Sequence, residues 1–175
     1  EAMTGHRASQ QYNGKLGYRS VLTGEVEHIK LEVSLREEIV LPTELLSART
    51  MLLDPESGTS VFGPIGVRCL CLMEAYAEKI RAALTRREPA IRDFFDIDHA
   101  VRQAHFDCEE EALLELVAKK LSVDGNEPVD LSPVKREALR VQLEADLRPV
   151  LRATDYDEFD LERVFTILEQ IAGCG

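Results

Sequence analysis

RREPAIRDFFDIDHA, residues 86–100, gathers three aspartates, Asp93, Asp96 and Asp98, around two phenylalanines just after a proline. Proline ends the helix before it and tolerates the start of the next, so this stretch reads as the joint between two helices. Ahead of it, Leu72, Met73, Tyr76, Ala77, Ile80, Ala83 and Leu84 recur at spacings of three and four, which predicts a helix ending before Pro89. Its polar face carries Glu74, Glu78, Lys79 and Arg81. Behind it, the pattern predicts a second helix over residues 91–104, with Phe94, Phe95, Ile97 and Val101 as its apolar side. Arg92 and Asp96 stand four apart and can pair across one turn for about 0.3–0.5 kcal/mol, a plain surface explanation for both. Asp93 is left over. Its place near a helix start favours the charge, yet its own helix offers it no partner.

Upstream, residues 15–40 are extended in pattern. KLGYRSVL is followed by a turn at Thr23 and Gly24 and then by VEHIKLEVSL, in which Ile29, Leu31, Val33 and Leu35 alternate with His28, Lys30, Glu32 and Ser34. A β-hairpin is the expectation. Residues 41–53 fit a short strand or a helix, DPESG at 54–58 is a turn, and residues 61–71 form a further short strand whose first half is loosened by Pro64 and Gly66.

Downstream of Asp107 the pattern is helical throughout: residues 109–121, 133–151 and 160–172, separated by DGNEP and by the acidic TDYDEFD. Ser132 followed by Pro133 is an N-cap with proline at the first helical position. The plan is α+β: residues 1–14 a flexible N-terminus, 15–106 a small α/β portion of a hairpin, a short strand and two helices, and 107–175 a C-terminal helical bundle.

Composition narrows the chemistry. A net charge of −11 over 175 residues argues against general affinity for a phosphate backbone, which needs clustered lysine and arginine. Lys79, Arg81, Arg86, Arg87 and Arg92 nevertheless concentrate positive charge beside the aspartates. The four cysteines, Cys69, Cys71, Cys108 and Cys174, have no zinc-ligand spacing and read as reduced thiols. No signal peptide or apolar run of membrane length is present, so the expectation is a cytoplasmic protein without membrane contact.

Taken singly, each charged group has an ordinary reading. Glu32 on the polar side of a strand, and Glu78 with Lys79 on an amphipathic helix, are most simply solvated. Together they offer more. A carboxylate can hold a divalent metal, a lone ammonium can neutralise a polyphosphate as a point charge, and an aspartate ionised beside it can act as general base toward an attacking hydroxyl.

IKLEVSLR at 29–36, AYAEKIRAALTRR at 75–87 and IRDFFDID at 91–98 resemble, in order and spacing, consecutive motifs of the AbiEii/AbiGii-type nucleotidyltransferase toxins, which have a DNA polymerase β-like nucleotidyltransferase fold. The resemblance implies Glu32 as a metal-site carboxylate, Lys79 as the nucleotide-contacting lysine with Arg92 beside it, and Asp93 with Asp96 and Lys79 as catalytic residues. It also implies a nucleoside triphosphate as substrate, tRNA or a protein as acceptor, a cognate antitoxin, and a role in a toxin–antitoxin or phage-defence system.

The family's glycine-serine motif and its DxD carboxylate pair should precede the alternating strand. Only 28 residues stand before Ile29, and TGHRAS at 4–9 is no substitute. The chain therefore resembles the C-terminal part of such a protein, with a partial nucleotidyltransferase sheet. It is expected to bind Mg2+ only if the missing motifs are supplied and to be inactive alone. The alternative is a non-catalytic protein-interaction module or degenerate remnant, and homodimerisation through an exposed sheet edge suits either reading.

Overall fold

The computed structural model describes residues 11–35, 38–50, 52–103 and 106–173. The polar residues 1–10, with TGHRAS, lie outside the described residues, as do Arg36, Ala104 and Cys174. The chain divides into two compact units, Glu1–Glu38 and Ile39–Gly175.

The first unit is the hairpin. Strand β1 (Gln11–Arg19) pairs antiparallel with β2 (Val26–Ser34), with Leu16 opposite Ile29 and Tyr12 opposite Val33. β1 starts at Gln11, four residues before the alternation becomes readable at Lys15. The connection closes through Gly24 N–H donating to the Ser20 carbonyl at 2.9 Å, and Gly24 adopts φ of 74°, a conformation that costs residues with a Cβ. Because side chains alternate, Tyr12, Leu16, Ile29, Leu31 and Val33 share one face, and all five are exposed.

In the second unit, β3 (Glu44–Ala48) pairs antiparallel with β4 (Ile65–Cys69), which resolves residues 41–53 in favour of a strand and gives the expected short strand a partner. The two hairpins are separate two-stranded sheets. Helices α1 (Leu72–Thr85), α2 (Ile91–Gln103), α3 (Glu111–Leu121), α4 (Pro133–Gln142), α5 (Ala153–Glu158) and α6 (Leu161–Gly173) follow, so the class is α+β with a helical C-terminal portion. α3 packs on α1, and α6 packs on α2. Ile80, Leu84, Phe94, Ile97, Leu113, Leu139, Phe165 and Leu168 form the centre of the core.

Two helix boundaries differ from the periodicity. The segment expected as one helix over 133–151 is regular only to Gln142 and then widens into a π-helical turn, Leu143–Leu147. The acidic TDYDEFD, expected as a separator, is helical up to Glu158 as part of α5, which begins at Ala153; six residues are too few to display a helical period. Ser132 caps α4 as expected, its hydroxyl accepting from Lys135 N–H at 3.3 Å with Pro133 at the first helical position. Among the described residues, no helix is long and apolar enough to cross a membrane.

Charged side chains inside the second unit fix how its helices meet. Glu74, expected on the polar face of α1, is buried instead. Its carboxylate accepts from the main-chain N–H groups of Val40 and Leu41 at 3.2 and 2.9 Å and pairs with Lys120 of α3 at 2.6 Å. Lys120 also reaches Glu78 at 2.6 Å. The Lys135 ammonium, likewise buried, donates to the carbonyls of Ala83 and Leu84 at 2.6 and 3.2 Å, satisfying acceptors that the end of α1 leaves open. Burial pushes this ammonium's pKa below the usual lysine value, and the Asp130 charge opposes that only in part.

Candidate functional site

The joint at Pro89 lays α2 back along α1, and this brings together the residues singled out around it. Lys79 extends from α1 so that Nζ stands 3.2 Å from Asp93 Oδ1 and 2.7 Å from Asp96 Oδ2, both on α2. Asp93 and Asp96 are three apart and so present neighbouring carboxylates to one cation. The partner that Asp93 lacks within its own helix is therefore supplied across the helix joint.

The two aspartates are not equivalent. The Asp93 side chain is 3% exposed, that of Asp96 43% and that of Lys79 38%. Arg86, just beyond the end of α1, places Nη1 2.9 Å from Asp93 Oδ2. The contact balances charge, but its angle is not that of a hydrogen bond, and Oδ2 accepts none. Asp93 is thus held between two cations, whereas Asp96 has solvent on its open side. Burial lowers the Lys79 pKa, but hydrogen bonds and charge from Asp96 and then Asp93 outweigh it, so the ammonium is held more firmly protonated than a free lysine.

Lys79 and Asp96 border a cleft of about 400 Å³ between α1 and α2, with Asp93 buried behind them. Leu72, Ala75, Tyr76 and Lys79 line it from α1, and Phe95, Asp96 and His99 from α2. Burial and the Asp96 charge push the Tyr76 phenol upward, with Lys79 opposing, so the hydroxyl stays protonated at neutral pH and can donate a hydrogen bond.

The remaining candidates make other contacts. The Arg92–Asp96 pair expected from their spacing is replaced by Asp96–Lys79: the carboxylate turns toward α1, and Arg92 lines a different cleft with Pro89, Gln142, Asp146 and Val150. Glu32 is in the first unit, on β2, opposite Asn13 and with Oε1 2.8 Å from Lys30 Nζ. Asp98, the third aspartate of the joint, is fully buried between Arg102 at 2.8 Å and Arg163 of α6 at 2.6 Å, where it ties α2 to α6. Nothing in its spacing separated it from its two neighbours. Cys69, Cys71 and Cys108 are half-buried free thiols, with Cys108 pushed up to about 11 by burial and by the charges of Asp107 and Glu109. Among the described residues, no group of three His, Cys, Asp or Glu side chains could hold a metal ion.

Comparison with known proteins gives one result. No curated protein and no solved structure gives a significant match. A family model, nucleotidyl transferase AbiEii toxin of type IV toxin–antitoxin systems, matches residues 4–170. That match takes in both hairpins, the lysine–aspartate triad and nearly all of the helical portion, and the chain belongs to the nucleotidyl transferase AbiEii toxin family.

Proposed function

We propose that this chain carries the lysine–aspartate half of a nucleotidyl-transfer site, centred on Lys79, Asp93 and Asp96. The observation that supports it is the position of Lys79 Nζ, between Asp93 at 3.2 Å and Asp96 at 2.7 Å on the border of an open cleft. In such a reaction an acceptor hydroxyl attacks the α-phosphorus of a nucleoside triphosphate, pyrophosphate leaves, and the hydroxyl proton passes to a carboxylate. Lys79, charged at neutral pH, neutralises the phosphates. Asp93, enclosed by Lys79 and Arg86, aims the ammonium, and the more accessible Asp96 is the carboxylate that an acceptor hydroxyl reaches first. Arg92, one turn before Asp96 on α2 and lining a neighbouring cleft, serves the nucleotide only if a phosphate reaches past that turn. The acceptor is a tRNA end or a protein, and a cognate antitoxin restrains the activity in the cytoplasm.

The family's chemistry draws on a divalent metal, in this reading Mg2+. The described residues do not fit one, because Glu32 is engaged by Lys30 and no three ligand side chains gather among them. Glu32 can contribute to a metal site only beside carboxylates that the described residues do not supply, and without them the chain is inactive alone.

Thermal denaturation with and without a millimolar nucleoside triphosphate and magnesium tests the reading. A small upward shift in Tm is expected for the wild-type chain and none for Lys79→Ala, each compared with its own nucleotide-free Tm. No shift in either would remove the nucleotide site. A second reading, a non-catalytic interaction module that self-associates, is favoured by the exposed apolar face of Tyr12, Leu16, Ile29, Leu31 and Val33. Under that reading the chain is a dimer by sedimentation and ignores nucleotide.

A further inference from the structure

We propose that the aromatic part of the α1–α2 cleft seats the heteroaromatic base of the nucleotide whose phosphates Lys79 neutralises. This rests on the nucleotide reading of Lys79 and extends it to the other end of the ligand.

The cleft has a chemical gradient along α1. Leu72, Ala75 or Tyr76, and Lys79 succeed one another at helical spacing, so they line one wall over about 10 Å at 1.5 Å per residue. That wall runs from apolar to cationic, as a nucleotide runs from base to phosphate. The facing wall, on α2, is built of Phe95 and His99, whose ring centroids are 5.9 Å apart.

The rings are held before any ligand arrives. Phe95 packs edge-on against Phe159 at 5.7 Å, and Tyr76 lies 4.5 Å from Phe106. Ordered rings lose little freedom on binding, which is what a stacking surface requires. A flat π-system gains on such surfaces whichever base it is, so the rings provide affinity more than base discrimination. The polar groups at the rim, the Tyr76 hydroxyl and His99, face the edge of the base or the sugar hydroxyls, while Asp96 stays with Lys79 at the phosphate end. A volume of about 400 Å³ is in the range of sites for small ligands. An aliphatic occupant would use the apolar wall but would leave unexplained two braced rings beside a cation.

The test uses the full chain and three probes: adenosine triphosphate, adenosine and inorganic tripolyphosphate, followed by NMR of the His99 and Tyr76 ring resonances and by titration. Adenosine triphosphate and adenosine are expected to move both rings, and tripolyphosphate neither. Phe95→Leu, which keeps apolar volume against Phe159, is expected to weaken adenosine triphosphate binding about tenfold and leave tripolyphosphate unchanged. His99→Ala, at an exposed position, provides a second variant that does not threaten the fold and is expected to weaken the nucleotide in the same direction. If both variants bind adenosine triphosphate as the wild type does while Lys79→Ala abolishes it, the base lies elsewhere: this proposal is overturned and the Lys79 reading stands. If neither adenosine triphosphate nor tripolyphosphate binds at millimolar concentration, the Lys79 reading falls and takes this one with it.

Discussion

Lys79 and Asp93 face each other across the helix joint with 3.2 Å between Nζ and Oδ1, the ammonium partly in water and the carboxylate shut away from it. The lysine is therefore a structural partner as well as a candidate phosphate ligand. Removing it leaves a buried carboxylate with Arg86 as its remaining cation. Lys79→Ala is expected to cost about 2 kcal/mol, below the usual loss for breaking a buried pair because Arg86 remains. Asp93→Asn in the same background should restore part of that loss, and urea denaturation of the two single variants and the double gives the coupling. Simple additivity would mean that the pair contributes nothing.

Asp98 makes a sharper case. Fully buried, it accepts hydrogen bonds from Arg102 at 2.8 Å and from Arg163 of α6 at 2.6 Å, and so ties α2 to α6 through charge-assisted bonds. Asp98→Ala should destabilise the chain by about 3–5 kcal/mol, since two guanidinium groups lose their buried counter-ion. A loss under about 1 kcal/mol in the urea midpoint analysis would show that solvent already screens the cluster.

Acid should unpick the Glu74 knot. Burial raises this carboxyl's pKa, but hydrogen bonds from Lys120, Leu41 and Val40 and the Lys120 charge outweigh it, leaving it below its ordinary 4.5. A carboxyl with a depressed folded-state pKa stabilises above the unfolded value and loses that contribution as pH falls through the folded one. The stability gap between wild type and Glu74→Gln is therefore expected to be widest near pH 7 and to shrink below about pH 4.5. Chemical denaturation at stepped pH measures it, and a gap that stayed constant down to pH 3 would contradict the assignment.

Gln142 ties the start of α2. Its side-chain oxygen accepts from Ile91 N–H at 2.8 Å, and its amide donates to the Pro89 carbonyl at 2.8 Å. Gln142→Ala removes both bonds at once and should cost about 1–3 kcal/mol, with Asp93 and the triad loosened behind the joint. Faster amide exchange over residues 91–94, with α6 unchanged, is the expected signature.

The sequence carried a good deal of this. Alternation from His28 to Leu35 located β2, spacings of three and four from Leu72 to Leu84 located α1, and Ser132 with Pro133 marked the start of α4. The convergence of Lys79 with Asp93 and Asp96 follows from Pro89 turning one helix back on the other, together with the motif resemblance. What stayed hidden depends on partners far along the chain. Glu74 looks like a surface residue until Lys120, from another helix, is brought beside it, and Asp98 looks like Asp96 until Arg163 arrives. Arg92 and Asp96 show the reverse: a local pair permitted by spacing lost to a cross-helix one. The π-helical turn at Leu143–Leu147 has no compositional mark, since a widened turn uses the same residues as a regular one.

The buried amines have a practical consequence. The chain has six lysines, of which Lys120 and Lys135 are 2% and 4% exposed, both locked in hydrogen bonds. An acylating reagent reaches them only after α1 has parted from α3 and α4. Mass-spectrometric counting of acylated lysines would thus record opening of the helical core, molecule by molecule.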